Sequence, residues 1–314
     1  MVATSSPINY LSLKGLAKRE MHLEVISSRC DHRDGDSLVM LLHDNHVHTK
    51  YSACCHEHYD LREIARIHES KGFSYTCVSD HVHSDTDGAF LTEHARARQD
   101  LTADGFALPI FLGIEASIVN FDGHLPLDSV AGTPDYIMCS DHWIPSTRIT
   151  MDDLPGSARI VKEMHDNDPG QLRILYENVA SMYVNAMSSN KIDILAHPFD
   201  TFMRIGNFDG QLLDYFGVVC EICQEKGVAV EINNKTVERQ FDLFTNNEPL
   251  HDDCLPPAEF YMRLMKIPLD YDVAFSTGSD AHVVRDIGVL DHAANFIEQL
   301  KIPEQKIFSL ASHA

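Results

Sequence analysis

Six short stretches hold residues whose types and spacing could do chemistry at neutral pH: DNHVHT, SDH, GIEAS, SDHW, AHP and GSDAH. In the first, His46 and His48 are spaced i, i+2, so on a strand both imidazoles point to one face and can clasp a single ion. Asp280 and His282 repeat that spacing with a carboxylate and an imidazole, a mixed donor set that suits zinc, manganese or iron. Glu115 follows an apolar run, where a carboxylate needs a cation, a hydrogen-bonding partner or open solvent. His81, His142 and His197 each end another apolar run. Pro198 biases His197 toward an extended backbone and marks where a strand stops. A lone HxH, or a lone His after a strand, is more often a hydrogen-bonding residue than a ligand, so the reading depends on whether these positions meet.

The elements between them suggest that they do. Seven apolar, β-prone runs span 38–46, 73–81, 110–117, 135–142, 193–198, 228–234 and 273–282. They lack clean alternation, as strands buried on both faces do. Helix-like segments separate most of them, such as YDLREIARIHESKG, with apolar positions at 61, 64, 65 and 67 and a glycine at its end. Strand then helix, repeated, predicts an α/β fold, a βα barrel more readily than an open sheet. Nearly every strand ends in a metal-capable residue, and a parallel barrel gathers those ends on the face where such barrels place their chemistry.

The order and spacing of the six motifs, over about residues 43–288, resemble the PHP (polymerase and histidinol phosphatase) superfamily, in its free-standing histidinol-phosphatase-like branch. The resemblance implies a distorted (β/α)7 barrel with two or three divalent metal ions (Zn, Mn or Fe) at the C-terminal ends of the strands. It implies roles for nine positions. His46 and His48 match the opening pair, Glu115 a carboxylate bridging two metals, and His142 and His197 the second metal's ligands; Asp280 completes the first metal. His81 and His282 match two ligands of a third. The remaining ligand falls on Cys54, eight residues after His46, or on His56 if two residues are inserted; His56 is preferred here. The activity implied is hydrolysis of a small phosphate monoester by in-line attack of a metal-bridging hydroxide, with Glu115 and His81 in the catalytic set.

Such a reaction calls for a cation on the phosphate. Arg204 and Arg285 are the best placed by sequence, with Lys235 behind them, and a guanidinium can fork onto phosphate oxygens. Asp44 and Asp80 are read as acceptors that orient ligand imidazoles or as structural caps, Glu231 as an acceptor inside the barrel, and His43 and His58 as outside the ligand set. Two alternatives remain: a metal-dependent amidohydrolase or lactonase on a similar barrel, and a non-catalytic metal-binding regulatory module.

Composition narrows the partners. With 25 Lys plus Arg against 47 Asp plus Glu, the formal charge of −22 disfavours nucleic acid and anionic membrane surfaces, which need a cationic footprint. A small anionic phosphorylated substrate remains compatible because bound cations reverse the local field. No signal-like or membrane-spanning apolar run is found, and eight dispersed cysteines do not resemble a disulfide scaffold, so a cytoplasmic protein with reduced thiols is expected. Cys220 and Cys223 form an isolated CxxC read as ordinary packing. The 314 residues are taken as one domain, with a lead-in over 1–36 and an insertion loop over 233–257. The stretch 145–171 is read as a specificity loop, and no motif fixes an oligomeric state.

Overall fold

The computed structural model describes residues 41–83, 89–128, 130–241 and 248–312, so the lead-in and the start of the first expected strand lie outside the described residues. The chain alternates helix and strand. In order these are α1 (Leu61–Lys71), β1 (Thr76–Val82), α2 (Phe90–Ala103), β2 (Ile110–Ser117), β3 (Tyr136–Ser140), α3 (Leu154–Asn167) and α4 (Pro169–Ser189). Then come β4 (Ile194–Leu195), α5 (Asp200–Arg204), α6 (Gln211–Lys226), β5 (Ala229–Asn233), α7 (Asn234–Phe241), α8 (Pro257–Asp270), β6 (Phe275–Gly278) and α9 (Asp291–Leu300). Each strand pairs in parallel with the next, in the order β1-β2-β3-β4-β5-β6.

Among the described residues, six strands form where seven are expected. Residues 42–48 make no regular strand but run extended between the two edges of the sheet. On one side Leu42 and Val47 accept from the amides of Ser74 (3.1 Å) and Ser79 (2.8 Å). On the other, Asn45 donates to Thr277 (2.8 Å), and the His46 carbonyl accepts from Asp280 (2.8 Å). The six-stranded sheet is thus curled, its first and last strands bridged by the segment that carries the HxH pair.

Strand periodicity explains where the polar residues stand. Side chains at i and i+2 share a face, and one face of each strand climbs from an apolar floor to a polar rim. Tyr75 and Cys77 lie at the floor below His81; Tyr136 and Met138 lie below Ser140; Ala229 lies below Glu231. Gly113 sits at the same level, where a Cβ would come within 2.3 Å of the Tyr136 ring, so this ring fits only over a glycine. The Tyr136 hydroxyl lies 3.0 Å from the carbonyls of both Asn45 and Val78 and shares its single proton between them, tying the bridging segment to the floor. The opposite faces pack against the helices in a larger apolar cluster.

Helix ends follow local chemistry. The Asp60 side chain caps α1 by accepting from the Arg62 amide, and Gly72 ends that helix at φ 77°. The stretch expected as a loop over 145–171 is largely helical: Asp153 and Asp168 cap α3 and α4, and each helix has a proline in its first turn. The expected insertion loop over 233–257 likewise begins with the last residue of β5 and the helix α7. Cys220 and Cys223 are buried on α6, and burial pushes the Cys223 thiol up to about 12, which is ordinary packing.

Candidate metal centre

The polar rim converges on the Glu115 carboxylate, which is fully buried near the C-terminal end of β2. Its Oε2 lies 2.9 Å from His81 Nδ1, 3.1 Å from His46 Nε2 and 3.4 Å from His48 Nε2. Its Oε1 lies 3.0 Å from His197 Nε2 and 3.3 Å from His142 Nε2. One carboxylate therefore faces three imidazoles with one oxygen and two with the other. Asp280 Oδ1 adds a second carboxylate, 3.2 Å from His48 Nε2 and 3.7 Å from His46 Nε2. His48 also faces His282, their ring centroids 4.3 Å apart.

These atoms form several groups of three whose donors all lie within 4.8 Å of one another. They include His46/His48/Asp280, Glu115/His142/His197, His48/His81/His282 and His81/His83/His142. The donor chemistry fits divalent ions. The Nε2 atoms of His46 and His48 approach to 2.9 Å, and the buried Nδ1 of His81 has no hydrogen-bond partner although it lies against Glu115. Aromatic nitrogens and carboxylate oxygens aimed at a common centre match the zinc, manganese or iron donor set. The described residues therefore contain clusters able to hold metal ions.

Electrostatics divides the imidazoles by their neighbours. Burial alone would lower the His46 pKa, but Glu231, Glu115 and Asp280 hold it well above the usual histidine range. Burial lowers His48, and its neighbours His81 and His282 depress it further. For His81 and His197 Glu115 outweighs burial, raising them to about 10 and about 9. Glu115 itself is held well below the usual carboxylate range, against burial, by His46, His142 and His81. The centre is a dense array of opposite charges that titrate as a group.

A second layer of contacts sets the ring orientations. Glu231 accepts from His46 Nδ1 at 2.8 Å and from the His197 amide at 3.0 Å, so a carboxylate in β5 orients two of the predicted ligands. Asp80 reaches the centre through an intermediary: it holds the Thr49 amide and hydroxyl (both 2.7 Å), Ser52 Oγ (2.6 Å) and His94 Nε2 (2.7 Å), and Ser52 Oγ meets His48 Nδ1 at 3.0 Å. Asp44 serves the backbone, accepting from the amides of Ser279 and Gly288. Asp141 accepts from the Tyr183 hydroxyl at 2.6 Å and braces the residues after His197. The backbone itself is unusual here, with His197 at φ 23° and Asp280 at φ 52°, a conformation that side chains other than glycine rarely hold without support.

The structure sets several of the expected residues in new surroundings. His56 and Cys54 are both exposed, and the His282 and His81 imidazoles outweigh burial to bring the Cys54 thiol pKa down to about 6. Residues 49–55 are coiled by backbone turns, Ser52 to Thr49 and Cys55 to Ser52, rather than extended, and Cys54 feels the His81 and His282 imidazoles. The Arg285 side chain is 88% exposed and pairs with Asp286, and Lys235 pairs with the same aspartate, so neither is gathered into the centre. Arg204 pairs through Nε with Asp200 at 2.6 Å, and Arg239 of α7, which sequence reading missed, holds the other oxygen of Asp200 at 2.6 Å. His83 was also missed, although a second HxH, His81-x-His83, stands in the sequence.

No family model matches the sequence. Among curated proteins, the chain is 26% identical over 276 residues to a protein of Vibrio vulnificus named a probable phosphatase, covering 85% of this chain and 88% of that one. Another of that name from Vibrio parahaemolyticus is 26% identical over 267 residues, covering 85% and 87%. Among solved structures, histidinol phosphate phosphatase from Lactococcus lactis, complexed with zinc, L-histidinol and phosphate, superposes with a TM-score of 0.56 at 14% identity, over 82% of this chain and 92% of that one. That likeness shows a shared fold. Among the described residues, no helix is long and apolar enough to cross a membrane.

Proposed function

We propose that the protein is a metal-dependent phosphoesterase that hydrolyses a small phosphate monoester of the histidinol-phosphate type, on a seven-staved barrel in which residues 42–48 supply the seventh stave. His46, His48, Glu115 and Asp280 hold one ion; Glu115, His142 and His197 hold a second; His81, His282 and Cys54 hold a third. The observation that carries this reading is the two-sided Glu115 carboxylate, with imidazoles from β1, from residues 46–48 and from the segments after β3 and β4 around its oxygens. The relatives named probable phosphatases and the fold shared with a zinc-containing phosphatase support it.

Divalent ions bound there supply a water acidified toward neutrality and positive charge against the phosphoryl oxygens. The chain's own residues do the rest. Glu231 keeps His46 turned toward the centre through Nδ1, leaving Nε2 for ligation. Arg204, fixed on Asp200 three residues beyond His197, is the cation assigned to the substrate phosphate in preference to the exposed Arg285. A phosphate monoester suits a centre able to gather cations on an otherwise acidic protein, because the attraction would be confined to the site.

Assay of the metal-replete protein against an array of phosphomonoesters, with metal content measured on the same sample, tests the reading. Turnover abolished by chelation and restored by manganese, zinc or iron is expected. Full metal occupancy with no turnover of any phosphomonoester would overturn it.

A further inference from the structure

One strand period above His81, His83 continues the inner face of β1 and stands exposed at the mouth of the centre. Its ring stacks on His81 at 4.6 Å and packs edgewise with His142 at 5.0 Å. It also meets the indole of Trp143, with centroids 5.8 Å apart and planes at 65°. Strand alternation alone would turn residue 143 away from His142, but β3 ends at Ser140, and the contact with His83 shows that the chain brings the indole round to the mouth. There Trp143 is half-buried, an apolar plane beside imidazoles. A tight hairpin holds it: Trp143 bridges to Thr150, the Ile144 amide donates to the Ile149 carbonyl at 2.8 Å, and Ser146 takes φ 58°. The Met151 amide returns to the His142 carbonyl at 3.2 Å, and the Thr150 amide donates to the buried Ser157 hydroxyl of α3 at 2.8 Å. A side chain carried on so constrained a backbone loses little further freedom when a ligand arrives.

A phosphoryl group held at Glu115 must project its organic substituent away from the floor, which Tyr75, Tyr136 and Met138 fill, and therefore toward the mouth. We propose that Trp143 is the residue that determines specificity there: its indole is the wall against which the alcohol half of the ester lies, selecting monoesters whose alcohol carries a planar aromatic or heteroaromatic ring. An indole offers a large rigid face with only two side-chain torsions to fix, and paired rings gain more than the area they bury. The centre recognises the phosphate that every such substrate shares, whereas the indole recognises the part that differs. The inference rests on the phosphoesterase reading above for the phosphate and adds the chemistry of the alcohol.

Trp143 is the chain's single tryptophan, so its emission reports on this side chain alone. The first test titrates zinc-replete protein with 2-phenylethylphosphonate and with ethylphosphonate, two phosphate mimics that cannot be hydrolysed and differ only by the ring. The phenyl compound is expected to shift the emission saturably and to bind about tenfold more tightly, the size of one aromatic pair. Equal affinities, or binding that leaves the emission unchanged, would overturn the proposal. The second test repeats both titrations by calorimetry on variants at zinc contents measured to be equal. Trp143→Ala is expected to erase the preference for the phenyl compound and Trp143→Phe to keep most of it. A loss that falls equally on both phosphonates would mark Trp143 as structural and overturn its role. With 2-phenylethyl phosphate and ethyl phosphate, whose leaving alkoxides are alike, the ratio of kcat/KM should fall in parallel in Trp143→Ala, through KM. Turnover of both esters without preference in the native protein would remove the indole wall and leave the phosphoesterase reading standing. Ring-selective phosphonate binding by a protein that turns over no ester would do the reverse.

Discussion

At the residue scale, the centre is organised by carboxylates that do not all play one part. Glu115 presents both oxygens to imidazoles, whereas Glu231 holds His46 by the far nitrogen and the His197 amide by its other oxygen. Outer partners of this kind typically contribute 10–100-fold to metal affinity, so Glu231→Gln, which keeps the shape and removes the charge, should weaken zinc binding by about tenfold in a competition titration. Unchanged affinity would mean that the ring is positioned by packing alone. The open loop position gives a second test. Cys54→Ala should cost one ion in elemental analysis and abolish the sulfur-to-metal charge-transfer band of the cobalt-substituted protein, while His56→Ala leaves both intact. The reverse outcome would restore the sequence expectation. HxH, Glu115, AHP and DAH were legible because strand geometry alone fixes where such residues point. The choice between Cys54 and His56 was not, because it depends on turns that no periodicity reports.

At the element scale, the bridging segment and β6 must approach closely for His46 to reach Glu115. Gly278 makes that possible: a Cβ there would stand 2.3 Å from His46 Cβ and 2.4 Å from Glu231 Oε1. Overpacking of this kind costs on the order of 1–3 kcal/mol. Gly278→Ala should therefore lower the denaturation midpoint and, because the displaced groups are His46 and its carboxylate, also reduce bound metal. A stability loss with full metal content would show that the segment yields elsewhere. The strand-and-helix alternation is visible in the apolar runs, most of α4 included, but α3 falls in the stretch expected as a loop. It carries its signals openly, as an Asp153 cap with a proline in the first turn. It is obscured because the stretch is polar and its apolar stripe narrow: on α3 only Ser157 and Val161 are buried. The bridging segment failed as a strand for a different reason, since it trades regular ladder bonds for alternate bonds to two neighbours.

At the scale of the whole molecule, the proposed ligands span residues 46 to 282 and come together only in the folded chain, so ions held there would be thermodynamically linked to the fold. The metal-free centre crowds five imidazoles around one buried carboxylate, and His197 and Asp280 hold backbone conformations that need support. Ions that bind only the folded chain stabilise it by mass action, by about 4 kcal/mol when free metal exceeds Kd a thousandfold. For a chain of this size each kcal/mol moves Tm by roughly 2–4 °C, so chelation should lower Tm by on the order of 10 °C per tightly held ion. The formal charge of −22 sharpens the expectation, because removing divalent cations leaves an already acidic molecule more negative. Salt screens surface repulsion but substitutes poorly for a buried ion. Scanning calorimetry of chelated and zinc-reloaded protein at low and high ionic strength separates the two contributions. A Tm deficit that sodium chloride alone repairs would assign it to surface charge, whereas a deficit repaired only by zinc, manganese or iron is the outcome expected of a barrel built around its ions.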